Sequence, residues 1–272
     1  MRFLPLPTDA GDAIIEKQCR KPGWSTHRRR WLDAAAAYRT HRGNPWLVSP
    51  APFAKKEQDA LYGLYDSRAG GGPLKRIRHP EGGYGSCPMC GSLGGRSLDH
   101  ALPRRHFPEF SILRENLVPA CTICNSNQKG DIYRGTRRPE RFIHPYYDRW
   151  AAKPLWQTRF GPDLEALQFE PTALERLPRR RRKIVQFHLD TLLGVDWRDY
   201  VRREWGGLPA KLERRIGSAP QPKDVRAELE QRMADAVETT GGNSWEAAFH
   251  RGAMADNDVL AKLAERMENL PQ

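Results

Sequence analysis

Two Cys-x-x-Cys pairs, Cys87/Cys90 and Cys121/Cys124, flank residues 91–120 in a chain of 272 residues. This spacing restricts the fold more than any other feature. A tetrathiolate zinc ion needs two short loops, each presenting two sulfurs to one tetrahedral centre. The interval is longer than that of a zinc ribbon, so a folded unit must sit between the knuckles. Two disulfides or four free thiols are the alternative readings. The remaining cysteine, Cys19, reads as an ordinary helix-face thiol.

The start Met1-Arg2-Phe3-Leu4-Pro5-Leu6-Pro7 is too short and proline-broken for a signal segment. No apolar stretch approaches the ~20 residues of a bilayer span. The expected compartment is the cytoplasm, with no membrane partner, and its reducing conditions favour metal thiolates over disulfides. Lys and Arg number 45 against 33 Asp and Glu, a net charge of +12. Such an excess favours polyanionic partners through phosphate contacts and counterion release.

The chain divides into three regions. Residues 1–80 read as helical: Thr8-Asp9 can cap a helix carrying Ile14, Ile15 and Cys19. Ser25-Thr26 can cap a second through Trp31, Ala35 and Tyr38, and a third spans Ala54 to Ser67. Gly70-Gly71-Gly72-Pro73 then breaks regular structure. Residues 81–150 form the cysteine-bracketed unit, rich at its start in Gly82, Gly83, Gly85, Gly91, Gly94 and Gly95. Ser97 to Leu102 alternates like a strand, Leu117 to Ala120 suits a short partner, and Thr122 to Lys129 reads as a short helix stopped by Gly130. Residues 151–272 read as mostly helical, with stripes at Leu177–Leu193, at Val225, Leu229, Met233 and Val237, after Asn243-Ser244, and at Val259, Leu260, Leu263 and Met267. The expected fold class is α+β, a small central unit between helical flanks.

Hydrolysis of a phosphodiester needs a base for water and a cation for the developing oxyanion. Histidine suits the first, and oxygen donors such as Asp and Asn hold hard divalent cations for the second. His100, Asp99 and Asn125 offer these groups close to the knuckles. Adjacent strand residues face opposite ways, so Asp99 and His100 converge only at a bend, bulge or strand end.

The series Cys87-Pro-Met-Cys90, Leu98-Asp99-His100, Asn116, Cys121-Thr-Ile-Cys124-Asn125 and Lys129-Gly130-Asp131 resembles the HNH (His-Me finger) endonucleases over about residues 87–131. The resemblance implies a ββα-metal finger stapled by a structural zinc on the four cysteines. It implies His100 as general base, Asp99 and Asn125 as ligands of a catalytic Mg²⁺ or Mn²⁺, and Asn116 as the catalytic-motif residue bracing the loop that orients His100. Asn125 stands where the family's last histidine would be, which bears on metal identity. The wider run Leu98 to Pro103, Phe107 to Ser111 and His144-Pro-Tyr-Tyr-Asp148 looks like an antiphage-defence subgroup of Septu type, whose nuclease subunit works beside an ATPase partner.

Arg104 and Arg105 are candidate phosphate contacts, and Lys129 either contacts phosphate or neutralises a helix end. His106 suits a surface or loop-packing role, and His144 is expected to dock the third region on the central unit. The runs His27–Arg30 and Arg179–Lys183 are either solvated helix faces or nucleic-acid contacts. The competing reading of the whole is a non-catalytic zinc-stapled module that binds nucleic acid or a partner. A nuclease subunit silent without its partner is a third.

Overall fold

The computed structural model describes residues 1–68, 76–77, 83–93, 97–166 and 168–270. The expected break at Gly70–Pro73 and the glycines 82, 94 and 95 lie outside these residues. The chain is a mixture of helices and two small two-stranded antiparallel sheets.

The first region holds α1 (Ala13–Cys19), α2 (Arg28–Thr40) and α3 (Lys55–Gly63). Thr8-Asp9 caps nothing: α1 begins after Asp12, and Asp9 instead receives Arg114 Nε at 2.7 Å. Trp31, Ala35 and Tyr38 recur at helical spacing on the buried face of α2. They share one apolar cluster with Leu61 of α3 and with Leu102, Phe107, Phe110 and Leu113 of the central unit. Trp31 is fully buried and donates its indole N–H to the Glu109 carbonyl at 2.7 Å, which satisfies its polar atom. Burying such a ring contributes about 1.5–3 kcal/mol. Just past the end of α2, the Gly43 N–H returns to the Tyr38 carbonyl at 2.9 Å. Its φ is +62°, and a Cβ there would lie 2.8 Å from the Tyr38 hydroxyl and 2.9 Å from the His144 ring, so only glycine fits.

In the central unit β1 (Ser97–His100) pairs antiparallel with β2 (Leu117–Ala120), Ser97 opposite Ala120 and His100 opposite Leu117. A π-helical turn, Ile123–Lys129, follows and ends at Gly130, φ +48°. Strand, strand and short helix lie where the alternation and the glycine stop put them. Two short strands are marginal alone, so their stability has to come from packing on both flanks.

The third region departs from expectation at its start. β3 (Trp156–Phe160) and β4 (Phe169–Ala173) form a hairpin with Trp156 opposite Ala173. Trp156, Thr158 and Phe160 point inward while Arg159 is exposed, the period of a half-buried strand. Five helices follow: α4 (Arg179–Leu192), α5 (Val195–Ile216), α6 (Pro222–Thr239), α7 (Trp245–Ala255) and α8 (Asn257–Glu268). Ser244 caps α7 by accepting the Ala247 N–H at 3.1 Å, as the Asn243-Ser244 signal anticipates. Val259, Leu260, Leu263 and Met267 are all buried on α8. The four knuckle cysteines belong to the same apolar cluster as Trp156, Trp197, Trp205 and Phe249, so the third region packs directly on them. Among the described residues no helix is long and apolar enough to cross a membrane.

Candidate functional site

The four knuckle sulfurs come together. All lie within 4.8 Å of one another, all four residues are buried, and Cys90 Sγ is 3.7 Å from Cys121 Sγ. A tetrahedral ion with bonds of ~2.3 Å to sulfur requires neighbours about 3.8 Å apart, so the set fits a metal such as zinc. Backbone N–H groups already point at the sulfurs: Cys121 N to Cys87 at 3.2 Å, Cys124 N to Cys121 at 3.4 Å, Ser92 N to Cys90 at 3.4 Å. Such donors stabilise thiolates rather than thiols. Hydrogen bonds from Cys124, Cys87 and Cys90 push Cys121 strongly down, and the same cluster pushes Cys124 and Cys90 well up. A divalent cation would let all four ionise together. Gly91 closes the first knuckle at φ +87°, where a Cβ would fall 2.4 Å from the Asn243 carbonyl oxygen.

At the opposite end of the strand pair opens a cleft of about 300 Å³, lined by Asp99, His100, Arg104, Arg105, Asn125, Asp131, Tyr62 and Tyr65 among others. His100 is the last residue of β1, and the strand end lets Asp99 and His100 line one cavity despite the pleat. His100 Nε2 lies 2.9 Å from the Ser111 carbonyl. A carbonyl only accepts, so Nε2 carries the proton and Nδ1 keeps the lone pair. Among the described residues nothing hydrogen-bonds Nδ1. Burial pushes the imidazole pKa down to about 3, which keeps it neutral. The ring is held edge-on by Tyr65 at 4.7 Å.

Asp99 is 4% exposed. Burial pushes its carboxyl up, and Lys129 partly offsets this. Its Oδ2 lies 3.1 Å from Lys129 Nζ but accepts no hydrogen bond among the described residues. The ammonium instead donates to the His100 carbonyl at 2.7 Å and, more weakly, to Asp99 Oδ1 at 3.3 Å. The ion pair is thus real at short range but poorly aligned. Asn125 donates its amide to the Leu98 carbonyl at 3.1 Å, leaving its Oδ1 free among the described residues.

Lys129 corrects the expectation of a phosphate contact. It is 1% exposed, inside the site, locked to Asp99 and to β1. Arg104 and Arg105 do reach the cleft. Arg104 is pinned over the Tyr62 ring at 4.0 Å and to Asp66 at 2.9 Å, whereas Arg105 is exposed beside Asp131 at 3.3 Å. Asn116 does not line the cleft. It is fully buried, accepting from Leu102 N at 2.7 Å and donating to the Leu102 and Phe110 carbonyls at 3.0 and 3.1 Å. It ties Leu102 to Phe110 beside Ser111, whose carbonyl holds His100. His106 is exposed, its ring tilted against Tyr133 at 5.3 Å.

His144 docks the first region, not the third. Its Nδ1 accepts from Tyr146 N at 3.2 Å, so Nε2–H donates to the Tyr38 hydroxyl at 3.0 Å, and that hydroxyl can pass the chain on to Asn116 Oδ1 at 3.1 Å. The clamp on the third region is His188 of α4, accepting from Ile143 N at 3.0 Å and donating to the Met89 carbonyl at 2.7 Å. Tyr62, Tyr65 and His188 are contributions that the sequence reading missed. Tyr62, Tyr65 and His188 fall within stretches read as helical, Ala54 to Ser67 and Leu177 to Leu193, which carried no sign of what they would face.

Protein ea31 of Escherichia phage lambda is 44% identical to the chain over 64 residues, which make up 23% of this chain and 21% of that protein. The chain therefore matches about a fifth of that relative's length. No protein-family profile and no solved structure matches it.

Proposed function

We propose that the cleft is the catalytic centre of a metal-dependent HNH-type endonuclease that hydrolyses DNA phosphodiester bonds, with residues 97–129 as its ββα-metal finger. The observation that carries this reading is the polarity of His100: the Ser111 carbonyl fixes the proton on Nε2 and leaves Nδ1 as a base in a cleft that also holds Asp99 and Asn125.

The chemistry follows from the side chains. His100 Nδ1 takes a proton from water as its oxygen bonds to phosphorus and the P–O3′ bond breaks. A base with a pKa near 3 is weak. A phosphodiester anion entering the cleft favours the imidazolium and raises that pKa toward a useful range. Arg105 is placed to neutralise a non-bridging oxygen. Asn116 acts one step removed, holding the loop that holds His100.

Asp99 Oδ2 and Asn125 Oδ1 are oxygen donors with no protein hydrogen bond of their own among the described residues, a donor set suited to Mg²⁺ or Mn²⁺. A cation held there would supply Lewis-acid stabilisation of the leaving oxygen. The knuckle cysteines hold zinc as scaffold. The extended motif through His144-Pro-Tyr-Tyr-Asp148 supports a setting in antiphage defence, with an ATPase subunit as partner.

The test is cleavage of supercoiled plasmid with Mg²⁺, Mn²⁺ or chelator, run on the wild type and on Asp99→Asn/Asn125→Ala. Nicking that requires the cation and drops by two or more orders of magnitude in the double variant supports the reading. Equal nicking in chelator, or by the double variant, overturns it.

A further inference from the structure

Two basic runs that look alike in sequence are treated differently by the fold. In the first, at the start of α2, His27 lies 3.4 Å from Glu57, Arg28 2.5 Å from Glu16, Arg29 4.0 Å from Asp33 and Arg30 3.2 Å from Glu57. Each of these basic residues has an acidic partner inside the protein. Arg179, Arg180, Arg181, Arg182 and Lys183 open α4, and all five are exposed. Among the described residues none of them forms an ion pair, and the first turn of α4 contains no acidic residue. Arg181 lies over the Trp150 ring at 5.6 Å, and the neighbouring Arg149 is likewise exposed and without an ionic partner.

This arrangement opposes helix stability. The N-terminal end of a helix is already positive, and each cation in its first turn is disfavoured by about 0.3–1 kcal/mol. Like charges one turn apart, as Arg179 and Lys183 are, add a few tenths more. Among the described residues no acidic side chain compensates. At 100° per residue, Arg179 and Lys183 lie opposite the buried residues Ile184, Val185, His188 and Leu189, and Arg180 and Arg182 flank them on either side.

We infer that the start of α4, with Arg149 and Trp150 beside it, is a binding surface for the phosphodiester backbone of DNA. Guanidinium groups bind phosphate oxygens in a two-pronged geometry, and several on one face suit a row of phosphates. A lipid surface would demand an apolar face beside the cations. The apolar face of α4 is already buried in the core, and none of the exposed large hydrophobic residues among the described residues belongs to α4. The helix is tied to the cleft through Phe187, 5.3 Å from Phe142, whose ring lies 5.8 Å from Lys129 Nζ. The surface names how the substrate of the proposed nuclease is held, yet it binds whether or not the cleft hydrolyses.

The test is binding of a fluorescent 20-base-pair duplex in chelator, across a salt series, to the full chain. Arg179→Gln/Arg182→Gln/Lys183→Gln is compared with Arg28→Gln/Arg29→Gln/Arg30→Gln, which removes the same charge from the paired run. The expected result is a slope of log affinity against log salt reduced by about 2–3 for the α4 variant, with Kd raised tenfold or more at 0.1 M salt. The control changes neither to that extent. Replacing Arg179 and Arg182 by lysine keeps the slope, and the melting temperature of the glutamine variant does not fall. Equal loss in both glutamine variants, no loss in either, or phosphatidylserine vesicles that bind through these residues while DNA does not, overturns the inference. Loss of plasmid nicking in the wild type with binding intact would count against the nuclease reading alone.

Discussion

The sulfur centre and the oxygen-lined cleft sit at opposite ends of one strand pair, Cys121 following β2 and His100 ending β1. At the sulfur end every cysteine is buried, the backbone already donates to the sulfurs, and the third region packs over it. At the cleft the polar groups are incompletely satisfied: Asp99 Oδ2 lacks a hydrogen-bond donor and Nδ1 of His100 is free among the described residues. A centre closed on itself suits a structural role. One that keeps lone pairs in reserve suits a site that handles a ligand and a proton.

Breaking the sulfur end has the largest expected effect. Zinc sites of this kind contribute ~10–16 kcal/mol of apparent binding energy to folding. Cys121→Ser is therefore expected to lose zinc and to open residues 83–150 to protease before the α2–α3 segment, read by metal quantification and limited proteolysis. Unchanged metal content and proteolysis would erase the contrast between the two ends.

At the cleft end the most sensitive group is Lys129. Removing one member of a buried ion pair costs about 3–5 kcal/mol. Lys129→Met should lower the unfolding free energy in urea by about that amount. Added Mn²⁺ should restore part of it, because the unpaired Asp99 carboxylate then takes a cation. A variant as stable as the wild type in chelator would mean that Lys129 does not hold the site together.

Acid sharpens the comparison with a smaller effect. Burial pushes both His144 and His188 down to about 3, while each reverts to about 6.5 when unfolded. Between these values the unfolded chain binds more protons, so stability is full above 6.5 and falls as pH drops toward 3. By pH 5 each histidine should cost roughly 1–2 kcal/mol. Zinc release, followed with a chromophoric chelator, separates this loss from protonation of the thiolates. Stability that rises on acidification would contradict the neutral buried clamps.

Much of the central unit was legible because its signals are local. Cysteine spacing, the alternation of Ser97 to His100 and the stop at Gly130 need no distant partner to be read. The walls of the cleft were not, because Tyr62 and Tyr65 reach it from α3 and the turn after it, far upstream in the chain. Lys129 looked like a surface cation until Asp99 and the His100 carbonyl were found to enclose it. The two basic runs could not be told apart for the same reason, since Glu16 and Glu57 lie outside the run they neutralise. The hairpin was missed within a stretch read as helical, although Trp156, Thr158 and Phe160 carried its period of two.

The most direct test of the central claim is single-turnover nicking of supercoiled DNA by His100→Ala. Zinc content and melting temperature measured on the same preparation establish that the fold is intact. The account predicts a folded, zinc-loaded variant whose cleavage rate falls by at least two orders of magnitude. Cleavage at the wild-type rate by that folded protein would contradict it.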